Sequence, residues 1–149
     1  MNRRQKAVLT KFFVVITITA LMVTGMVNFK DWVNRSEALR AMEHMGKIVL
    51  RHRKEKGVIP SESYIITIKE QLEGHARLGD IQYRALWIDS ESSEDEILAY
   101  VEHNFRSLFI KEGFIVLFLD GRVNWMDKQE FKTLLRSQQS PMEIEALQK

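Results

Sequence analysis

Five carboxylates crowd into the eight residues 89–96, namely Asp89, Glu91, Glu94, Asp95 and Glu96. Carboxylate oxygens are the natural ligands of hard cations such as Ca²⁺. Their spacing follows no calcium-loop pattern, however, and the glycine that an EF-hand turn requires is missing. A solvated acidic connection between two strands is the preferred account of them. Asp120 adds another carboxylate, but Asp120-Gly121 is a turn signal in its own right. The histidines, His44, His52, His75 and His103, are scattered, and none stands in an HExxH arrangement. His44 and His52 share a helical face but lie two turns apart, too far for one ion. No serine occupies a GxSxG elbow, and no glycine-rich phosphate loop is present. Cysteine is absent altogether, which excludes disulfides, thiol nucleophiles and thiolate zinc sites. The chain therefore reads as a non-enzyme with no metal site and no cofactor. A small-molecule ligand is left unspecified.

These side chains hang on a chain whose first segment has another chemistry. Phe12 to Phe29 is a run of 18 uncharged residues between Lys11 and Lys30. At about 1.5 Å per residue it makes a helix of roughly 27 Å, close to the hydrocarbon thickness of a bilayer. Arg3, Arg4, Lys6 and Lys11 precede it, and no acid comes before Asp31. The positive-inside rule then predicts a cytoplasmic N-terminus, with residues 30–149 beyond the membrane. A cleavable signal peptide has a similar charged start, with Val23 and Gly25 as the small residues before a cut. The run is long for that purpose, and the retained anchor is the reading adopted. Net charge divides accordingly: +4 over the first 29 residues and −2 over the remaining 120, within a total of +2. The basic pI belongs to the leader and is no argument for nucleic-acid binding.

Beyond the membrane run, Leu39, Met42, Met45, Ile48 and Val49 recur at helical spacing until Gly57 and Pro60 stop the pattern. Asn34-Arg35-Ser36-Glu37 fits a capping box where the helix could restart. Nothing in 30–36 forbids a single long helix, which is the preferred reading. Along it, Met22, Met26, Met42 and Met45 suggest adaptable packing against lipid or a partner. Lys47, Arg51, Arg53, Lys54 and Lys56 gather near its end. The preferred reading is a solvated helix end that complements the dipole, with a grip on an anionic surface as the alternative. Residues 61–73 fit a helix capped by Ser61 or Ser63 better than a short strand. Ile81–Ile88 alternates like a strand, with Ile81, Tyr83, Ala85 and Trp87 on one face. Ile97–Val101 is a second strand. Phe114–Leu119, apolar at every position, is a third, buried on both faces. Asp120-Gly121 predicts a type I′ hairpin into Arg122–Met126. Asp127 opens a last helix with Phe131, Leu134 and Leu135 as its buried stripe. Residues 138–149 are expected to be a flexible tail in which Met142, Ile144 and Leu147 could dock on a partner.

Phe114–Met126 (FIVLFLDGRVNWM) resembles the C-terminal hairpin of pilin-like and type II secretion pseudopilin-like proteins, many of which carry a motif of the form NVLFxDGHVxW. The likeness covers the strand, Asp120-Gly121, Val123 and Trp125, and continues into the helix from Lys128 to Leu135. Gly57 and Pro60 also stand where that family tends to have them. The chain departs from the family at its start. The prepilin peptidase site, Gly followed by Phe-Thr-Leu-x-Glu, is replaced by Arg4-Gln5-Lys6-Ala7-Val8-Leu9-Thr10-Lys11, and Arg122 stands for the frequent histidine. The resemblance implies a pseudopilin-like domain on a non-pilin anchor.

The expected architecture is α+β: a transmembrane helix continuing into a long amphipathic helix packed on a small antiparallel sheet, with a short C-terminal helix. Its divisions are 1–11 as cytoplasmic leader, 12–29 as transmembrane helix, 30–137 as the extracytoplasmic domain and 138–149 as tail. The expected partners are membrane lipid and either other proteins or a second copy, packed through Leu39, Met42, Met45 and Val49. The resemblance implies a structural or accessory subunit of a bacterial envelope secretion or pilus-like assembly in the cytoplasmic membrane. The competing expectation is a tethered binding or sensory module working through residues 89–96.

Overall fold

The computed structural model describes residues 2–89, 91–104 and 112–147, the last without its side chain. One unbroken helix, α1, runs from Arg3 to Lys56 over 54 residues, a rod of about 81 Å. It passes through 34–37 without restarting, since no proline or glycine interrupts its hydrogen-bond ladder there. It stops at Gly57, whose φ of 71° is left-handed and whose N–H bonds back to the Arg53 carbonyl at 2.8 Å. Six of its residues are buried, Ala38, Ala41, Met42, Met45, Gly46 and Val49. All lie beyond position 37, on one stripe at spacings of three and one.

Helix α2 (Glu62–Gln71) settles the ambiguous segment: the Ser61 hydroxyl accepts from the Tyr64 N–H, and Ile65 and Ile68 turn inward. After the short α3 (His75–Leu78) comes an antiparallel meander of β1 (Gln82–Tyr83), β2 (Ile97–His103), β3 (Gly113–Phe118) and β4 (Val123–Asp127), in that spatial order. Helices α4 (Lys128–Gln138) and α5 (Pro141–Leu147) complete the α+β fold. Asp127 caps α4, its carboxylate accepting from the Gln129 and Glu130 N–H groups at 2.9 Å.

Strand β3 is buried at every position because both faces are covered. Ile115 and Leu117 pack under α1 with Met42, Met45 and Val49. Phe114, Val116 and Phe118 face the other way, against Phe131 of α4. There the Phe114 and Phe131 rings stack at 3.9 Å. The long helix is thus one of two covers, and α4 is the second. A register shift between Ile97 and Ala99 turns the consecutive Leu98 and Ala99 toward the same core, under α1.

Two expected elements differ. The strand over 81–88 is only two residues long, because the chain turns at Arg84, whose carbonyl accepts from the Trp87 N–H at 2.9 Å. What remains of it is pinned by the Tyr83 hydroxyl, which donates to the Pro60 carbonyl at 2.9 Å. The β3–β4 hairpin is not type I′, since among the described residues none other than glycine has positive φ. Its loop has three residues, Leu119-Asp120-Gly121, with only Gly121 left-handed at φ 85°. The Phe118 N–H closes it on the Arg122 carbonyl at 2.9 Å.

Gly121 also lies directly against α1. A Cβ there would lie 2.4 Å from Leu50 Cδ1, and one on Gly46 would lie 2.8 Å from Leu117 Cδ1. Two absent side chains let the helix lie flat on the hairpin. Gly121→Ala combines left-handed strain with that crowding. It is expected to lower stability by about 1–3 kcal/mol, read as a lower urea midpoint at unchanged slope.

Candidate functional site

No described residue in the first half of α1 is buried. Its most apolar 18-residue window has a mean hydropathy of 2.1 and no buried residue. A helix that is apolar all round and uncovered needs an apolar surrounding, and by length and composition this one is able to cross a membrane. A signal sequence near an N-terminus has the same properties. Two polar side chains of the apolar run are satisfied within the helix. The Thr17 hydroxyl donates to the Phe13 carbonyl at 2.9 Å and the Asn28 amide to the Thr24 carbonyl at 2.8 Å. Hydrocarbon imposes that requirement.

Aromatic and cationic groups gather where the apolar run ends. Phe29 and Trp32 stack at 6.1 Å, both exposed. One turn on, the Arg35 guanidinium lies 4.4 Å over the ring of Trp125 on β4. Burial pulls the Arg35 pKa below the ordinary arginine value, which leaves it charged at neutral pH. Trp32, Arg35, Ser36, Leu39, Arg40 and Glu43 line an open groove of about 480 Å³. They occupy one face of α1, at spacings of three and one. Arg40 also borders a second hollow of about 350 Å³ with Glu37, Glu73 and Gly74. Arg77, paired with Glu37 at 3.4 Å, ties α3 to this part of α1.

The expected partner-packing stripe is placed differently. Met42 and Met45 are 0 % exposed and Val49 is buried with them, all inside the domain's own core. Leu39 is half-buried at the groove. None of the first three faces outward, because the sheet that α1 covers belongs to the same chain. Met22 and Met26, by contrast, are exposed.

The acidic loop lies at the opposite end, beside the β3–β4 turn. The Leu119 and Asp120 N–H groups donate to the Glu96 and Glu94 carbonyls at 2.9 and 3.2 Å. Arg122 bridges Asp95 and Asp120, and these contacts raise its pKa. Asp120 further accepts from the Arg122 N–H at 2.8 Å, so it serves the hairpin. Among the described residues no three His, Asp or Glu side chains come together as a metal site. Of the basic cluster, Arg53 reaches the Leu119 carbonyl at 3.5 Å, while Lys47, Arg51, Lys54 and Lys56 are exposed. Burial lowers the His103 pKa, which favours a neutral ring beside Trp125.

One buried ionic cluster lies outside the expectations. Glu143 of α5 and Arg84 are 1 % and 4 % exposed and form a two-pronged pair. Nε donates to Oε1 at 2.6 Å and an Nη to Oε2 at 2.8 Å. Arg84 also donates to the Ile97 and Gln138 carbonyls at 2.8 and 3.3 Å. The Gln138 side chain links the Ile97 N–H to the Asp95 carbonyl. The stretch expected to be a loose tail thus carries a helix held by a buried carboxylate. The signal available in sequence was a single arginine in the apolar run 83–88, facing a glutamate between Met142 and Ile144.

No protein-family model, curated protein or solved structure matches this chain.

Proposed function

We propose that the protein is a single-pass membrane protein of the bacterial cytoplasmic membrane, with its N-terminus inside. Its α+β domain, in this reading, serves outside as a structural or accessory subunit of a pseudopilin-like kind. The observation that carries the proposal is the division of α1: the apolar run through 12–29 contains no buried residue, while the stripe from Ala38 to Val49 forms the domain core. One helix is therefore both anchor and scaffold, as in the pilin architecture that the hairpin sequence resembles. Since Met42, Met45 and Val49 are enclosed, lateral packing between subunits falls to the exposed stretch of α1 that includes Met22 and Met26.

The absence of cysteine makes this directly testable, because single cysteines can be introduced without a background. Met22→Cys or Met26→Cys in membranes should form disulfide-linked dimers under mild oxidation, and Met42→Cys should not. Monomers at every position from 12 to 33 would reject self-assembly. The intact mass of membrane-extracted protein checks the anchor. Retention of the first 25 residues is expected, and their loss would mean a cleaved signal peptide.

A further inference from the structure

The groove at the end of the apolar run has a chemistry that the anchor alone does not require. We propose that Trp32 and Arg35, with the charge of Arg40 behind them, bind the phosphate of an anionic lipid headgroup in the leaflet from which the domain emerges. This rests on the membrane-anchor reading above.

The first support is height. Counted from Phe29 at about 1.5 Å per residue, Trp32 stands about 4.5 Å beyond the hydrocarbon, Arg35 about 9 Å and Arg40 about 16 Å. The headgroup layer extends roughly 5–8 Å beyond the hydrocarbon. Side chains on a helix lean toward its N-terminus, here toward the bilayer, so the Arg35 guanidinium reaches back to that layer, and Arg40 stands beyond it as a second cation within a Debye length. Trp32, exposed and stacked on Phe29, has the amphipathic ring found at such boundaries.

Charge is the second support. Among the described residues neither Arg35 nor Arg40 makes an ion pair, whereas Arg77, Arg84 and Arg122 all do. Arg35 presents its face to Trp125 at 4.4 Å, which leaves its edge N–H donors for an acceptor in the guanidinium plane. Phosphate oxygens match that fork. Glu43 closes the far end of the groove, and Asp31, one turn before Arg35, is the carboxylate on the bilayer side, so the donors left for a phosphate are the edge N–H groups of Arg35 between them.

The test uses the full chain in vesicles of phosphatidylcholine containing a minority of phosphatidylglycerol, with bromine on the acyl chains of one lipid or the other. Trp87→Phe with Trp125→Phe leaves Trp32 as the reporter among the three tryptophans. Quenching of Trp32 by brominated phosphatidylglycerol should exceed that by an equal fraction of brominated phosphatidylcholine, with an enrichment of roughly fivefold per arginine. Arg35→Gln with Arg40→Gln should abolish the preference, while Lys47→Gln with Arg51→Gln should leave it intact. Equal quenching by the two lipids, or a preference that survives in the Arg35/Arg40 variant, would overturn the headgroup site and leave the anchor standing. Absence of quenching by either lipid would overturn the anchor reading as well.

Discussion

Replacing Glu143 by alanine should destabilise the domain by about 3–5 kcal/mol, the usual consequence of stranding one partner of a buried ion pair. Arg84 would keep its carbonyl acceptors on Ile97 and Gln138 but lose both carboxylate bonds, with its guanidinium still enclosed. Met142 is 75 % exposed and Ile144 38 %, and among the described side chains of α5 Glu143 is the one that is buried. The loss should therefore show in two ways: a lower urea midpoint for the full chain in detergent, and early proteolytic cleavage after residue 138. Removing both charges together, as Arg84→Met with Glu143→Leu, should recover most of the stability, because the desolvation penalty disappears with the pair. A single variant as stable as the parent would mean that α5 does not hold the sheet edge.

Met42→Arg should have the larger effect. Met42 is fully enclosed between α1 and the sheet, in the core that includes Leu98, Ile115 and Leu117. An arginine there meets no carboxylate and no water, a change that exceeds about 4–5 kcal/mol. A domain of this size has only about 5–15 kcal/mol in total. The sheet should melt while α1 stays largely helical within the membrane or micelle, so near-UV circular dichroism should vanish while much of the far-UV helix signal remains. Met42→Leu, which conserves volume, should change stability by less than about 1.5 kcal/mol. Were Met42 a contact between subunits, the arginine variant would instead remain folded and lose only its association.

The fold was largely legible in the sequence, for reasons that differ from element to element. Period and punctuation located α1 and its stop, because a 3.6-residue apolar stripe ending at Gly57 has one reading. The unbroken apolar run Phe114–Leu119 announced a doubly covered strand, and Asp127 announced the cap of α4. The direction in which the stripe of α1 faces was not legible. Apolar spacing says that Met42 and Met45 are covered and is silent on whether the cover is the same chain. The strand expected over 81–88 stopped short for a related reason. Alternation treats Arg84 as a solvent-facing residue, and only a glutamate almost 60 positions away, brought near by the fold, makes its burial tolerable. The hairpin was recognised by its dipeptide, but loop length, which sets the turn type, depends on the register of strands that a dipeptide does not report. Of the candidate groove, Trp32, Arg35 and Arg40 attract no notice in sequence. They become a set only because α1 continues unbroken from the apolar run and carries β4, with Trp125, alongside.

That continuity has a mechanical side. From Phe29 to Lys56 the helix is a lever about 40 Å long, with no proline and no glycine other than Gly46, itself locked against the hairpin. A helix in a bilayer tilts by about 20° on average, which on this lever carries the distal end about 14 Å sideways. The acidic loop and the Arg122 bridge ride at that far end, so with the proposed anchor in place a small change of inclination in the lipid becomes a large lateral stroke at the surface farthest from it. The domain is steered from its root.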